Sequence, residues 1–174
     1  MRFGVPALRL RPADLNDAER VFEWRNRPEI VALSSSRRPV SWGEHQAWFG
    51  DAVRDENRRV FIVLRDDTPI GQVRFDRLGA EECEVSIYLL AEHTGRGLGT
   101  MALRIGCRTI FRTWPVARIV AFVRRENVRS LQAFGKAGFF EAPAPTPRTR
   151  PGHAVLHRDR TTEDGSAEVG EACR

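Results

Sequence analysis

A glycine-rich segment is the part of the sequence whose residue types and spacing most directly suggest chemistry. Residues 95–100 (GRGLGT) follow an alternating apolar stretch, residues 84–90, and precede an amphipathic stretch that begins at Met101. This order predicts a strand, a turn and a helix. The first amides of a helix have no partner within it and bind anions readily. The segment is therefore interpreted as a phosphate-binding turn.

Two common nucleotide-binding motifs agree poorly with this turn. A dinucleotide-binding turn belongs to a parallel βαβ unit and is followed about 20 residues later by an acidic residue. This chain has Arg118 and Ile119 at that distance. A P-loop requires Gly-Lys-Ser/Thr, and the turn contains no lysine. Both interpretations lose support.

The elements that must position this turn are predicted from periodicity and turn residues. Alternation indicates strands, and apolar residues three and four apart indicate helices. Ser41 and Glu44 have the spacing of a capping box, and residues 66–69 (DDTP) have the composition of a hairpin turn. The predicted elements are a strand at 8–11, helices from Asp14 and from Ser41, strands at 59–65, 70–77, 83–89 and 118–123, a helix after the glycines and a helix over 127–137.

Length and composition bound the class of protein. The 174 residues, 41% of them hydrophobic, predict one soluble domain. No apolar run approaches the roughly 20 residues that span a bilayer, and the start of the chain lacks the pattern of a secretory signal, so a cytoplasmic location is expected. Cys83 and Cys107 fall on apolar faces and are expected in the core, because the spacing of the cysteines suits no metal site.

The net charge of +5 raises the question of a nucleic-acid partner, because basic surfaces attract phosphate backbones. The arginines, however, are scattered along the chain, and Lys136 is its only lysine. The sequence has no helix-turn-helix pattern, zinc-finger spacing or aromatic RNA-binding strand. No nucleic-acid partner is therefore expected.

Two motifs carry a resemblance to a known family. Residues 94–99 (TGRGLG) match the pattern Arg/Gln-x-x-Gly-x-Gly/Ala except that Thr94 takes the first position. Residues 127–139 match Asn-x-x-Ser/Ala-x-x-x-Tyr-x-x-x-Gly-Phe except that Phe134 replaces the tyrosine. With both motifs at the expected separation, the chain resembles the GCN5-related N-acetyltransferases (GNAT), which transfer an acetyl group from acetyl-CoA to a primary amine. The resemblance covers residues 7–158.

The resemblance implies an α+β fold of the GNAT type. Its sheet is mostly antiparallel and twisted, splays between the fourth and fifth strands, and is flanked by about four helices. One domain is expected over residues 1–158. Residues 159–174 are expected to form a disordered tail, because they are polar and lack periodicity. The expected partner is a small-molecule amine, with no membrane association, and a homodimer remains an open alternative because many relatives dimerise.

The resemblance also implies which residues hold acetyl-CoA. Backbone groups at the end of the fourth strand would pair with the pantetheine arm, and the side chain of Asn127 would bond it. The amides of the turn would bind the pyrophosphate despite the change at Thr94. Lys136 either reaches a coenzyme phosphate or is an ordinary surface lysine. The implied coenzyme-binding residues are Leu89, Leu90, Thr94, Gly95, Arg96, Gly97, Leu98, Gly99, Thr100, Asn127, Ser130, Phe134 and Lys136.

Acetylation of an amine needs a proton acceptor and a proton donor. An alkylammonium has a pKa of about 10.4, so a base must remove a proton before attack. By resemblance to small-molecule acetyltransferases with a Glu-x-x-x-Tyr strand, Glu84 is the candidate base, directly or through water. Its alternative role is an ion pair with an arginine such as Arg74. Phe134 lacks the hydroxyl that often protonates the thiolate. Either water, Tyr88 or Ser86 replaces it, or the thiolate leaves unaided; Tyr88 has packing as its alternative role.

A resemblance to one branch of the family narrows the range of possible acceptor amines. Residues 23–30, 41–49 and 84–89 most resemble the branch that acetylates the 4-amino group of nucleotide-linked dideoxy sugars in pseudaminic acid and related pathways. An arginine beside an aromatic residue suits a diphosphate-linked sugar. The acceptor-site candidates are Trp24, Arg25, Asn26, His45 and Trp48, each with a structural role as its alternative.

Other functions stay open from sequence. The acceptor is alternatively an antibiotic amine, an amino acid or a protein N-terminus. A non-catalytic sensor of acetyl-CoA is a further alternative, which Phe134 favours and which Glu84 and Asn127 oppose.

Overall fold

A computed structural model describes residues 7–34, 36–142 and 149–165. Seven strands form one sheet. They are β1 (Leu8–Pro12), β2 (Arg58–Arg65), β3 (Thr68–Arg77), β4 (Glu82–Leu89), β5 (Arg118–Arg124), β6 (Phe140–Glu141) and β7 (His153–Asp159), in the spatial order β1-β2-β3-β4-β5-β7-β6. The helices are α1 (Ala18–Arg25), α2 (Pro28–Leu33), α3 (Trp42–Ala52), α4 (Leu98–Thr113), α5 (Val128–Lys136) and α6 (Thr162–Gly165).

The sheet has the predicted, mostly antiparallel character. All neighbouring strands pair antiparallel except β4 and β5, which are parallel. The β2–β3 hairpin turns through Asp66 and Asp67, whose φ angles of +47° and +68° are those of a tight two-residue turn. Aspartate tolerates this left-handed conformation better than most residues.

Two apolar cores lie on opposite faces of the sheet. One packs α4 and α5 on the sheet and includes Phe75, Leu103 and Ile119. The other packs α1, α2 and α3 on the opposite face and includes Val21 and Phe49. No helix in the described ranges is long and apolar enough to cross a membrane.

The cysteines that the structure describes belong to the first core, as predicted. Cys83 and Cys107 are fully buried there. Burial raises the pKa of each thiol to about 12, so both stay protonated at neutral pH and act as small apolar side chains.

The predicted splay lies between β4 and β5. The two strands pair only where Glu82 faces Arg118, Cys83 faces Ile119 and Glu84 faces Val120. Beyond this point β4 stays paired with β3 and β5 stays paired with β7. The sheet is therefore open between β4 and β5, while β3 and β7 hold the other edge of each strand in place.

The N-terminal helices differ in detail from the prediction. The helix expected from Asp14 starts as a short 3-10 turn, Leu15–Asp17, and continues as α1. The sequence predicts no helix after Pro28, yet α2 begins at that proline. Proline suits the first turn of a helix because the amide that it lacks would have no helical partner there. The capping box at Ser41 and Glu44 is confirmed at the start of α3.

The C-terminal segment is ordered further than expected. The predicted tail begins at residue 159, but β7 ends there and α6 follows. Asp164 is buried and accepts hydrogen bonds from Arg158 at 2.8 Å and from the Thr161 backbone amide at 3.1 Å. These bonds hold the segment to the domain through Gly165, and residues 166–174 lie outside the described residues.

Gly71 permits a close approach of β3 and β4, and its replacement should destabilise the fold. A Cβ at this position would lie 2.3 Å from the carbonyl oxygen of Tyr88 and 2.8 Å from the Cα of Leu89. Backbone atoms cannot yield without shifting a strand. We expect Gly71→Ala to lower the free energy of unfolding by about 1–3 kcal/mol, measured by denaturant titration of tryptophan fluorescence.

The matched control for this substitution is Gly79→Ala, because a Cβ there meets no atom within 4 Å. Its free energy of unfolding should stay the same or rise slightly. An unchanged stability of Gly71→Ala would show that the two strands separate without cost.

Candidate active site

A cavity of about 540 Å³ lies where β4 and β5 separate. β4, β5 and α5 form one side, and α1, α3 and the segment between α2 and α3 form the other. The predicted site residues that line it are Arg25, His45, Trp48, Glu84, Tyr88, Asn127, Ser130 and Phe134. In the described structure the lining does not include Trp24, Asn26, Leu89, Leu90, Thr94, Gly95, Arg96, Gly97, Leu98, Gly99, Thr100 or Lys136.

The glycine-rich turn has the geometry of an anion-binding cradle at the start of α4. Gly95 and Gly97 both have φ of +75°, a left-handed conformation that suits glycine. The first helical hydrogen bond runs from the Met101 amide to the Gly97 carbonyl at 3.1 Å. The amides of residues 98–100 precede this bond, so they have no partner within the helix. A Cβ at either glycine would meet no atom within 4 Å, so open space lies over the turn.

The second motif forms the first turns of α5. The Asn127 Oδ1 accepts a hydrogen bond from the Ser130 amide at 3.1 Å and thereby caps the helix. The Nδ2 group of Asn127 is then the part of this side chain left for a ligand. Phe134 is buried, contacts Phe139 edge to face with ring centres 5.0 Å apart, and lines the cavity. This position contributes an apolar surface and no proton donor.

The inner edge of β4 offers backbone groups to the splay. The Leu90 amide donates to the Ile70 carbonyl at 2.9 Å, so this amide is not available to a coenzyme as the resemblance implies. Leu89 faces Gly71 in the register of β3 and β4. Successive strand residues point their backbone groups to opposite sides, so the groups of Leu89 point away from β3. The backbone of Leu89, and not the amide of Leu90, faces the splay.

Glu84 is held by an arginine from far along the chain. The two terminal nitrogens of Arg150 donate to the two carboxylate oxygens of Glu84 at 3.2 and 2.9 Å. The Arg150 guanidinium also lies 3.8 Å from the centre of the Phe122 ring. The alternative role predicted for Glu84, an ion pair with an arginine, is therefore observed, with Arg150 as the partner. Arg74, the arginine named as an example, donates its Nε to Asp76 at 2.7 Å. Glu84 is thus a fixed carboxylate at the closed end of the splay.

Tyr88 keeps its proton in this environment. Its hydroxyl donates to the Oε1 of Gln72 at 3.4 Å. Burial raises the pKa of Tyr88 above its usual value, and the nearby Arg25 and Arg74 oppose that shift only in part. The phenol is therefore protonated at neutral pH and does not act as a base there.

Three of the acceptor-site candidates have structural roles. The amide of Asn26 bonds both backbone groups of Val40, at 2.9 and 2.8 Å. The Nε2 of His45 donates to the Ala18 carbonyl at 2.8 Å, and burial lowers the pKa of this imidazole, so it is neutral. Trp24 is buried in the second core. These contacts fix the wall that α1 and α3 form, although His45 also lines the cavity.

Arg25 and Trp48 present functional groups on that wall. The Nη2 of Arg25 donates to the Ser36 hydroxyl at 3.2 Å. Its Nη1 is buried and has no hydrogen-bond partner among the described residues. Burial lowers the pKa of this guanidinium, which marks it as poorly solvated. The guanidinium of Arg74 lies 5.3 Å from the centre of the Trp48 ring.

Thr94 lies at the glycine-rich turn, whereas Lys136 lies at the far end of α5. The Nη1 of Arg129 donates to the Thr94 hydroxyl at 2.7 Å, which links the start of α5 to the turn. Lys136 is the last residue of α5, and its carbonyl accepts from Arg104. Seven residues of helix separate Lys136 from Arg129, which is about 10 Å. The basic side chain of α5 that contacts the turn is that of Arg129.

Sequence reasoning misses Arg150 and Gln72. Arg150 lies 66 positions from Glu84 in a proline-rich segment, so no local pattern connects the two. Gln72 is directly opposite Tyr88 in the register of β3 and β4. The pairing of the two predicted strands is a signal that could have identified this contact.

Comparisons with known proteins agree with this geometry. The model for the acetyltransferase (GNAT) domain matches residues 7–140. The acetyltransferase PseH of Campylobacter jejuni is 25% identical over 73% of this chain and 80% of PseH. Spermidine N(1)-acetyltransferase of Escherichia coli K12 is 22% identical over 76% of this chain and 73% of its own length.

Solved structures give the same fold. The aminoglycoside acetyltransferase AAC(6')-Ib in complex with coenzyme A and kanamycin superposes with a TM-score of 0.76 at 22% identity. The match covers 88% of this chain and 95% of that one. The chain therefore belongs to the GNAT family and is an acetyl-CoA-dependent N-acetyltransferase.

Proposed function

We propose that this enzyme acetylates an amine whose molecule also carries negative charge, and that the acceptor is a nucleotide-linked amino sugar. The observation that carries the proposal is the charge of the cavity wall. The ionised side chains of arginine, aspartate and glutamate that line it among the described residues are Arg25, Arg38, Arg74, Arg124, Arg150, Glu44 and Glu84. Arginines thus outnumber carboxylates, and a negatively charged acceptor gains from this balance.

Each of the two carboxylates is already paired with an arginine, which weakens the attraction of the wall for a polycation. Glu44 accepts from Arg38 at 3.2 Å, and Glu84 is bonded by Arg150 on both oxygens. A polyamine or an aminoglycoside would bring several positive charges to this wall, which disfavours both. Arg25, in contrast, has no carboxylate partner among the described residues. Its planar donors suit a phosphate.

A stacking surface and the relatives support the same acceptor. Trp48 lines the cavity and offers an aromatic ring beside the arginines. The nucleobase or sugar of a nucleotide-linked acceptor suits such a surface. PseH, which belongs to the pseudaminic acid pathway, is among the curated relatives.

Glu84 is proposed as the base and Tyr88 as the proton donor. Acetyl-CoA, when bound, supplies the thioester carbonyl that the amine attacks, with an N–C bond formed and the C–S bond broken. Glu84 takes the first proton, which converts the ammonium to the neutral amine, and passes it to solvent. Tyr88 gives its proton to the sulfur and regains the second proton that the nitrogen loses. Four residues of strand separate the two Cα atoms by about 13 Å, so an amine beside Tyr88 would reach Glu84 through a chain of waters. Arg150 keeps the carboxylate oriented.

The role of Glu84 predicts a loss of turnover without a loss of coenzyme affinity. We expect Glu84→Gln to lower kcat by about 100-fold or more, because the general base is removed. The Kd for coenzyme A, measured by calorimetry, should stay unchanged. Glu141→Gln is the control, because Glu141 is also paired with an arginine, at 2.6 Å from Arg125, but lies outside the cavity. Equal losses of turnover and affinity in Glu84→Gln would refute the base assignment.

The cradle predicts a loss of coenzyme binding when bulk is added at Gly97. We expect Gly97→Val to weaken coenzyme A binding beyond the range of calorimetry, because a branched side chain would occupy the open space over the turn. Gly97→Ala is the matched variant, since it carries the same left-handed φ with less bulk. It should bind more weakly than the wild type but more tightly than Gly97→Val. Thermal melts establish that both variants are folded, and wild-type affinity in Gly97→Val would contradict the cradle.

The charge of the cavity predicts which acceptors react. Thiol release from acetyl-CoA should saturate with a UDP-linked 4-amino-4,6-dideoxy sugar and be much weaker with the same sugar lacking the nucleotide. Spermidine and kanamycin should give no saturable release. Saturation with either polycation, and not with the nucleotide-linked sugar, would overturn the proposed acceptor while leaving the enzyme class intact.

Arg25 should determine the affinity for that acceptor. We expect Arg25→Ala to raise the acceptor KM about 10- to 100-fold, the range for losing a hydrogen bond to a charged group. The KM for acetyl-CoA should not change. Arg108→Ala, an exposed position on α4, controls for the loss of one positive charge. An unchanged acceptor KM in Arg25→Ala would exclude a direct contact.

A further inference from the structure

We propose that Arg129 supplies the pyrophosphate contact that the phosphate motif lacks at Thr94. The motif has an arginine or glutamine at the first position of its turn, and this chain has threonine there. The guanidinium of Arg129, which comes from α5, lies beside Thr94 where the motif has a long polar side chain. This inference depends on the coenzyme and not on the identity of the acceptor.

Hydrogen bonds direct the Arg129 side chain to the turn. The Thr94 hydroxyl donates to the Ala91 carbonyl at 2.8 Å, so its oxygen is free to accept. The Nη1 of Arg129 donates to that oxygen at 2.7 Å. Thr94 thereby fixes the guanidinium beside the amides that form the cradle. A longer side chain at this position would occupy the space that Arg129 now uses.

The packing of two helices sets this position. Three contacts join α4 and the turn to α5 in the same order along both segments: Thr94 with Arg129, Thr100 with Ala133, and Arg104 with Lys136. The two helices therefore run in the same direction with their N-termini side by side. The Arg129 guanidinium and the first amides of α4 therefore lie at the same turn, which favours an anion there.

Most of the Arg129 donors are uncommitted. A guanidinium has five N–H groups, and the contact with Thr94 uses one. Among the residues that the structure describes, Arg129 makes no ion pair, and its side chain is exposed. An arginine that only linked α5 to the turn would use the same single bond, so the two roles must be separated by experiment.

Calorimetry with three ligands tests the proposal. We expect Arg129→Ala to weaken binding of coenzyme A and of 3′-dephospho-coenzyme A alike, by about 10- to 100-fold. Pantetheine, which has no phosphate, should bind the variant as it binds the wild type. Arg112→Ala, an exposed arginine at the far end of α4, should leave all three affinities unchanged.

Relocation of the guanidinium gives a second test. The double variant Thr94→Arg with Arg129→Ala returns an arginine to the motif position and should recover most of the lost affinity for 3′-dephospho-coenzyme A. Three results would overturn the proposal: unchanged affinities in Arg129→Ala, an equal loss for pantetheine, or a loss confined to coenzyme A. The last would assign Arg129 to the 3′-phosphate.

Discussion

Hydrogen bonding between β4 and β5 stops after Glu84 and Val120, and the rest of the active site depends on that gap. Among the described residues, the facing backbone groups beyond this point have no sheet partner, and buried groups of this kind need one. The strands keep their places because β4 is bonded to β3 and β5 to β7 along their other edges. A ligand with amides of its own can then pair with a strand edge as another strand would. The gap also gives room for the cavity between the side formed by β4, β5 and α5 and the side formed by α1 and α3.

Arginine organises the charge around this gap. A guanidinium can bind a carboxylate and lie against an aromatic ring at the same time. Arg150 does so with Glu84 and Phe122, and Arg74 contacts both Asp76 and Trp48. These double contacts restrict long side chains that would otherwise be mobile. They hold positive charge on the cavity wall even where a carboxylate neutralises part of it.

Strand positions are predictable from this sequence because their alternation is local. The predicted strand at 59–65 and the observed β2 (Arg58–Arg65) differ by one residue, and the capping box at Ser41 is decided by residues within one turn. The sequence does not predict α2, because a proline that can end a helix can also begin one. The short β6 and the position of β7 between β5 and β6 follow from tertiary pairing, which no local pattern encodes.

The residues of the active site also fall into those that a local motif predicts and those that depend on distant contacts. The glycine turn and Asn127 are found from motif spacing, since each acts through its own neighbours. Arg150 and Arg129 are not, because their partners lie 66 and 35 positions away. His45 and Trp24 have the residue types of a binding site, yet burial and backbone contacts give them structural roles that type alone does not distinguish.

The place of β7 has a consequence for how the enzyme is made. β1 pairs with β2, and β2, β3 and β4 follow one another as hairpins, so the pairings among β2 to β4 join neighbouring segments of the chain. β5 has only a short parallel contact with β4 until β7, which begins 29 positions after the end of β5, becomes available. Non-local pairings of this kind form late, because closing a long loop costs entropy before any contact repays it. The half of the sheet that contains the splay therefore depends on the last strand to be synthesised, and a chain ending before β7 would lack the outer partner of β5.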